Sequence, residues 1–162
     1  MDGQDEPVII RTLRRDDSTR LARMDQEISG RSRQAWFEGK VAQALDDTDV
    51  LISLGAEMDG LLVGAVLGSV RFGEFGIPEP IAVLDTLLVD RRFHRRGVGL
   101  QLMDQLLKNL RGLRIARLRT EVGWDEFELL GFFRRVGFAP VPRLVLEVDP
   151  GEVKSPLISE GE

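Results

Sequence analysis

The spacing of apolar residues in the first third of the chain predicts one strand and two helices. Residues 8–13 are mostly apolar and predict a first strand. Asp16-Asp17-Ser18 then offers side chains that cap a helix, and Gly30 is placed to end that helix. Residues 31–45 carry apolar side chains at helical spacing and predict a second, amphipathic helix.

The next two apolar runs predict a hairpin. Residues 50–57 and 61–72 have strand composition, and Asp59-Gly60 between them is a strong signal for a tight turn. Gly64 and Gly68 interrupt the second strand, which indicates a bend or close packing against a neighbour. These two strands are expected to form the middle of a sheet.

A change of period marks the centre of the chain. Residues 83–89 form an apolar run that predicts a strand, and an arginine- and glycine-rich turn follows it. Beyond the turn the apolar residues adopt helical spacing, at Val98, Leu102, Leu106 and Leu110. The stretch is therefore interpreted as strand, turn and helix.

The last part of the chain predicts one more strand–helix unit and a final strand. Residues 115–122 predict a strand, and residues 125–136 predict a helix that Gly137 is placed to end. The apolar face assigned to this helix consists of Phe127, Leu130 and Phe133. Residues 138–148 predict a final strand or hairpin, and the polar, acidic residues from 150 onward are expected to be disordered.

The central turn has the composition of an anion-binding site. A helix N-terminus offers unpaired N–H groups and the positive end of a dipole, and glycine lets an anion approach the backbone closely. Residues 95–100 could therefore wrap a pyrophosphate, and Arg91, Arg92, Arg95 and Arg96 could reinforce the attraction. A tight strand-to-helix turn with a solvated basic face is the alternative interpretation.

Two known phosphate loops do not fit this turn. A P-loop requires Gly-Lys followed by Ser or Thr, which is missing here, and the third small residue of the dinucleotide fingerprint would fall on Leu102. The turn, His94-Arg95-Arg96-Gly97-Val98-Gly99, instead resembles the Gln/Arg-x-x-Gly-x-Gly/Ala motif of the GNAT superfamily of acyl-CoA-dependent N-acyltransferases. His94 departs from the usual first residue of that motif.

A second block extends the resemblance over roughly residues 8–148. The sequence from Phe133 to Phe138 is similar to the family's Tyr-x-x-x-Gly-Phe, with Phe133 in place of the tyrosine. The resemblance implies an α/β (α+β) fold with a mixed, mostly antiparallel sheet flanked by helices. In that fold two central parallel strands, here residues 83–89 and 115–122, splay apart to admit acyl-CoA.

The resemblance also implies which residues meet the cofactor, acetyl-CoA as acyl donor. The pantetheine arm would pair with backbone groups of the splayed strand, and the diphosphate would lie in the turn. The cofactor-binding residues implied are Leu87, Leu88, Val89, His94, Arg95, Arg96, Gly97, Val98, Gly99 and Leu100. No metal is expected to take part.

Acetyl transfer to an amine needs a neutral nucleophile, so a carboxylate near the thioester would help. Asp85, an isolated acid in an apolar strand, is the first candidate for general base, although it could equally be a residue of the sheet end. Glu121, on the facing strand, is the second candidate, and Glu79 could act through a water molecule or face the acceptor. Trp36 could line the acceptor pocket, but Trp36 and Phe37 are more typical of a core.

Composition limits the remaining choices. The chain has 162 residues, no cysteine and one histidine, which suits a single domain over residues 1–149 and excludes disulfides and thiolate metal sites. A net charge of −5 disfavours nucleic acid as a partner. An acidic start and no long apolar run favour a cytoplasmic protein without membrane contact, acting on a small-molecule or peptide amine, with a homodimer left open.

Three functions therefore remain at the level of the sequence. The first is an N-acetyltransferase that uses acetyl-CoA and a primary amine. The second is a non-catalytic acyl-CoA-binding module with a degenerate GNAT fold, which the replacement of tyrosine by Phe133 favours. The third, nucleotide binding by the same turn, lacks the acidic residue for a ribose and the required glycine spacing.

Overall fold

The computed structural model describes residues 6–46, 51–153 and 157. The elements in chain order are β1 (Ile9–Thr12), α1 (Asp17–Ser29), α2 (Gln34–Asp46), β2 (Leu54–Met58), β3 (Leu61–Arg71), β4 (Ile81–Val89), α3 (Val98–Gly112), β5 (Leu118–Thr120) and α4 (Phe127–Val136). Short 3₁₀ turns at Glu74–Gly76 and Arg91–Phe93 precede and follow β4. In this described part, no helix is long and apolar enough to cross a membrane.

The strands form one mixed sheet in the order β1-β2-β3-β4-β5. The first four strands pair antiparallel, and β5 pairs parallel to β4. The predicted hairpin is confirmed, because Met58 pairs with Leu61 and the turn residues Asp59 and Gly60 have φ of 48° and 74°. Positive φ at both central residues is the conformation that Asp-Gly favours between twisted strands.

Helices cover both faces of the sheet, and each face has its own apolar core. Helices α1 and α2 bury Leu21, Met24, Phe37 and Val41 against residues of β3 and β4 on one face. Helix α3 covers the other face with the predicted row of Leu102, Leu106 and Leu110, all at most 3% exposed. Gly30 ends α1 and Gly137 ends α4, both in the left-handed conformation, as the sequence predicts.

The structure corrects the predicted apolar face of α4. Phe127 and Leu130 are 73% and 40% exposed, whereas Phe133 is 4% exposed and lies within the α3-side core. Leu129, Phe132 and Val136 pack around it, so the buried face is rotated from the predicted one. The sequence pattern of α4 predicts that its large apolar residues are buried in the core, but the position of the neighbouring helix α3 determines which of them are covered.

Two predictions about the C-terminal third are also wrong. Strand β5 is three residues long and lies at the edge of the sheet among the described residues, not at its centre. Residues 138–148 form no strand, because no other described strand pairs with them. Most of the tail expected to be disordered, residues 154–156 and 158–162, lies outside the described residues.

Capping at the start of α1 differs from the prediction as well. The side chain of Asp16 makes no capping hydrogen bond. Asp17 is buried instead, where its carboxylate accepts hydrogen bonds from the backbone N–H of Arg14 and the guanidinium of Arg11. Because Arg11 also donates to Glu57 of β2, this buried charge network joins the start of α1 to the sheet.

Candidate active site

A β-bulge in β4 places Asp85 out of register with its neighbours. Leu84 pairs with Gly68 of β3 and Thr86 pairs with Leu67, so Asp85 is the extra residue on the bulged strand. A Cβ atom on Gly68 would lie 2.8 Å from the carbonyl oxygen of Val83. Glycine at this position therefore permits the close approach of β3 and β4 at the bulge, which is the close packing that the sequence predicts.

Strands β4 and β5 part immediately after this point. Their parallel pairing covers only residues 82–84 of β4 and 118–120 of β5. Thr120 Oγ1 donates to the carbonyl oxygen of Leu84 over 2.9 Å, at the last paired position. From Asp85 to Val89, the edge of β4 that faces β5 has no neighbouring strand in the described part of the chain. The gap expected at Leu87, Leu88 and Val89 is therefore present.

The turn after β4 is held by a buried carboxylate. The Asp90 side chain is fully buried, and it accepts hydrogen bonds from the guanidinium groups of Arg20 and Arg92 and from the backbone N–H of Arg92. Hydrogen bonds from Arg92 hold the pKa of the Asp90 carboxyl well below its usual range, against the opposing effect of desolvation. This network fixes the direction in which the chain leaves the sheet.

The predicted anion-binding turn has the backbone geometry for that role. Arg95 and Gly97 have φ of 65° and 73°, and α3 begins at Val98 with its first N–H groups directed towards the turn. His94 Nε2 lies 3.1 Å from the carbonyl oxygen of Val89, which ties the turn to the end of β4. A fifteen-residue helix adds its positive dipole end at the same place.

Two of the four arginines at this turn already have partners in the described part of the chain. Arg92 is engaged by Asp90, and Arg91 donates to the carbonyl oxygen of Ile28. Arg95 and Arg96 are exposed, and Arg96 lies over the ring of Phe93, 5.5 Å from its centre. The reinforcement of anion binding by the four arginines stays a prediction, and two of them also hold the turn in place.

Several of the implied cofactor residues can contribute only their backbone. Leu88 and Val98 are 7% and 1% exposed, since their side chains fill the two cores. A side chain at position 99 would be crowded, because a Cβ atom on Gly99 would lie 3.1 Å from the ring of Phe132. The glycine thus lets α4 approach the first turn of α3.

Asp85 lies at a polar cavity of about 550 Å³ between α2 and the sheet. Its carboxylate accepts a hydrogen bond from Thr86 Oγ1 at 2.8 Å and pairs with Lys40 Nζ at 3.0 Å. Both members of the ion pair are about one-third exposed. Both polar and apolar residues complete the lining of this cavity: Gln43, Ala44, Ser53, Leu67, Gly68, Ser69, Val70, Arg71 and Glu74.

The other two acidic candidates lie at a second, smaller cavity. Glu79 and Glu121 line about 120 Å³ together with Arg119. The cavities share Arg71 and Glu74, whose side chains form an ion pair at 3.4 Å. The structure therefore brings Glu79 and Glu121 together and separates them from Asp85 by this shared wall.

Trp36 lines neither cavity. It is 41% exposed, packs edge-on against the buried Phe37, and lies 5.5 Å from Lys40 Nζ at its ring centre. Its contact with the site is indirect, through Lys40. The sequence missed Lys40 and Arg71, since no local pattern reports that α2 and the end of β3 approach Asp85.

Comparison with known protein families supports the same fold. The sequence model of the acetyltransferase (GNAT) family matches residues 11–138. A comparison with curated protein sequences found no match.

Similar solved structures share the fold over nearly the whole chain. The aminoglycoside N-acetyltransferase AAC(6')-Iy, solved in complex with CoA, has a TM-score of 0.76 and 15% identity, covering 93% of this chain and 99% of its own. AAC(6')-IG from Acinetobacter haemolyticus has a TM-score of 0.72 and 16% identity over 87% and 97% of the two chains. Ard1 from Thermoplasma volcanium is 26% identical over 82% of each chain, with a TM-score of 0.68. The family match spans most of the sequence, and the chain belongs to the acetyltransferase (GNAT) family.

Proposed function

We propose that the protein transfers an acetyl group from acetyl-CoA to a primary amine by direct attack of the amine on the thioester. The observation that carries this proposal is the ion pair between Asp85 and Lys40, beside the gap between β4 and β5. A carboxylate that already holds one ammonium group at this place can hold the ammonium of an acceptor.

The proposed site for the donor, acetyl-CoA, is the gap between β4 and β5 together with the turn that follows β4. The unpaired backbone edge at Leu87, Leu88 and Val89 can pair with the amides of a pantetheine arm, much as an added strand does. The backbone from Arg95 to Leu100 can take the diphosphate. This placement brings the thioester beside Asp85 and Thr86, at the mouth of the polar cavity.

The acceptor must lose a proton before it reacts. An alkylamine with a pKa near 10.4 is a cation at pH 7, and its deprotonation costs about 4.6 kcal/mol. Asp85 would bind the ammonium and accept its proton directly or through water. The neutral amine nitrogen then bonds to the thioester carbon and the carbon–sulfur bond breaks. The second proton that the nitrogen loses as it becomes an amide passes, through water, to the departing CoA thiolate.

The acceptor is proposed to be a polar small molecule or a peptide with a primary amine. Both signs of charge and two serines line the larger cavity, which suits an acceptor that carries hydrogen-bonding groups beside its amine. Among the similar structures are enzymes named for aminoglycoside and glucosamine-6-phosphate acetylation, which supports including amino sugars among the compounds tested.

The test is CoA release from acetyl-CoA in the presence of amino sugars, aminoglycosides, polyamines and peptides. With an active acceptor, Asp85→Asn should lower kcat/KM by about 10²–10⁴ and leave CoA affinity nearly unchanged. The variant should regain rate at high pH, where free amine accumulates. Asp104→Asn is the matched control, because Asp104 pairs with Lys108 on the exposed side of α3.

Two results would contradict the proposal in different ways. An Asp85→Asn enzyme with wild-type kcat/KM at pH 7 would transfer the role to Glu121 or to solvent. CoA binding without release of CoA for any amine would favour the acyl-CoA-binding module, in which Lys40 neutralises Asp85 and the buried Phe133 offers no acid.

A further inference from the structure

Lysine is rare in this chain, and one lysine lies at the candidate active site. Of the 22 lysine and arginine residues, only Lys40, Lys108 and Lys154 are lysines. The buried carboxylate of Asp90 pairs with two arginines, whereas Asp85 pairs with Lys40. The difference matters chemically, because an amine can lose its proton and be acylated, while a guanidinium stays charged in proteins.

Two side chains hold the ammonium group of Lys40 at the larger cavity. Lys40 lies on α2, one turn before Gln43 and Ala44, which line the same cavity. Its Nζ atom is 3.0 Å from a carboxylate oxygen of Asp85 and 5.5 Å from the ring centre of Trp36. The amine therefore has a defined position, unlike that of a lysine whose side chain extends into solvent.

This position coincides with the one that the proposed function gives to the acceptor amine. The parallel pairing of β4 with β5 ends at Leu84, and Asp85 is the next residue. In the proposed function, acetyl-CoA fills the gap that begins there, and its thioester lies beside Asp85. An ammonium group on Asp85 is then next to the acyl carbon, and without an acceptor that ammonium group belongs to Lys40.

We propose that Lys40 is an internal acceptor, and that the protein acetylates its own Lys40 at Nζ when no other amine is bound. This step rests on the proposed function, because it uses the same donor and the same base. Asp85 accepts the first proton of the ammonium, directly or through water, and Nζ bonds to the thioester carbon. The carbon–sulfur bond breaks, and the second proton that the nitrogen loses passes through water to the departing CoA thiolate. The products are N-acetylated Lys40 and CoA.

Acetylation of Lys40 removes the charge that competes with an acceptor for Asp85. The acetylated nitrogen is a neutral amide, so the ion pair is lost and the carboxylate is left for the ammonium group of a substrate. The cavity of about 550 Å³ has room for the added acetyl group. Acetylation of its own lysine thus converts the protein from a form in which Lys40 occupies Asp85 into a form that binds an acceptor more tightly.

Peptide mapping by mass spectrometry tests the proposal, with Lys108 as the matched control. Lys108 also pairs with an aspartate, Asp104, at 2.9 Å, but its side chain is 59% exposed against 30% for Lys40, and it does not line the cavity. Spontaneous acetylation by acetyl-CoA should therefore modify Lys108 at least as fast as Lys40. With acetyl-CoA and no acceptor, we expect Lys40 to be acetylated at least about 100-fold faster than Lys108.

Three further measurements identify the bound donor, the reaction within one chain and its consequence. Excess desulfo-CoA, which carries no acetyl group, should suppress acetylation of Lys40 and leave that of Lys108 unchanged. The first-order rate constant at Lys40 should not depend on protein concentration. Pre-incubation of the wild type with acetyl-CoA should lower the KM for an acceptor by up to about fivefold. The same treatment should not change the KM of Lys40→Arg, which keeps the charge but cannot be acetylated.

The results distinguish failure of this proposal from failure of the proposed function. Equal rates at Lys40 and Lys108, acetylation of Lys40 that desulfo-CoA does not suppress, or an unmodified Lys40 in a protein that acetylates an external amine would overturn the internal acceptor alone. An unchanged acceptor KM after complete acetylation of Lys40 would overturn the release of Asp85. A protein that binds acetyl-CoA but acetylates neither Lys40 nor any external amine would overturn both proposals.

Discussion

Replacing Asp90 by Asn should destabilise the protein more than any other change of a carboxylate to its amide. The Asp90 side chain has no exposed surface and receives the guanidinium groups of Arg20 and Arg92 where β4 leaves the sheet. Asn keeps the shape of the side chain but removes its charge. It also presents an NH₂ group to two guanidinium groups, which can only donate hydrogen bonds.

The magnitude follows from how much of each partner is buried. Removing one member of a fully buried ion pair costs about 3–5 kcal/mol of unfolding free energy. Here the Arg92 side chain is 65% exposed and can be solvated again, while that of Arg20 is only 16% exposed. We therefore expect Asp90→Asn to lower the free energy of unfolding by about 2–3 kcal/mol at pH 7.

The difference should shrink in acid, because the folded state lowers the pKa of Asp90. A carboxylate with a lowered pKa contributes its full stabilisation above its unfolded pKa of about 3.9 and loses it as the pH falls towards the folded value. At pH 3, about one unit below the unfolded pKa, the wild type should have lost about 1 kcal/mol of this advantage. Asn does not titrate, so the gap between the two proteins narrows by that amount.

Urea unfolding at pH 7 and pH 3, followed by tryptophan fluorescence, measures both effects. Asp104→Asn is the control, because Asp104 and Lys108 form an exposed pair on α3, and its change should stay within about 0.5 kcal/mol. An Asp90→Asn protein within that same limit at pH 7 would refute the reasoning. A gap that is equal at both pH values would show that the lost stability has a cause other than the charge of Asp90.

Three further predictions concern the turn, the core and the acceptor site. Gly97→Asp should weaken CoA binding, measured by calorimetry, by about 30-fold, because Gly97 has a φ of 73° and a carboxylate would repel the diphosphate. Gly97→Ala introduces the same backbone strain without the charge, so it should lose clearly less CoA affinity. Phe133→Ala should lower the free energy of unfolding by about 3–5 kcal/mol, since Phe133 is buried between Phe132 and Phe138, whereas Phe133→Tyr should leave turnover within about threefold. Loss of activity in the Ala variant without loss of stability would instead show that Phe133 acts in the active site. Lys40→Met should lower the KM for the acceptor by up to about fivefold with kcat unchanged, because the acceptor would no longer compete with Lys40 for Asp85. The partly exposed ion pair between Lys40 and Asp85 is worth up to about 1 kcal/mol. A higher KM would show that Lys40 itself binds the acceptor.

The sequence by itself determined most of the elements and the position of the turn that is predicted to bind an anion. The row of Leu102, Leu106 and Leu110, the Asp59-Gly60 hairpin and the helix-ending glycines at 30 and 137 all depend on contacts within a few residues. Periodicity and backbone preference act over that same distance. For this reason the family motif at residues 94–99 could be located without coordinates.

The long-range contacts around the candidate site were decided by tertiary structure. Lys40 reaches Asp85 across 45 positions and Arg20 reaches Asp90 across 70, and no local pattern encodes such pairs. The bulge at Asp85 also depends on β3, because the close approach at Gly68 sets the register.

The C-terminal third marks the limit of the sequence pattern most clearly. Residues 143–148 alternate as a strand should, yet a strand exists only where another strand satisfies its backbone groups. The same limit applies to α4, whose pattern placed Phe127 inside although the packing of α3 leaves it exposed. Local composition determined what these segments could become, and the available partner surfaces decided what they are.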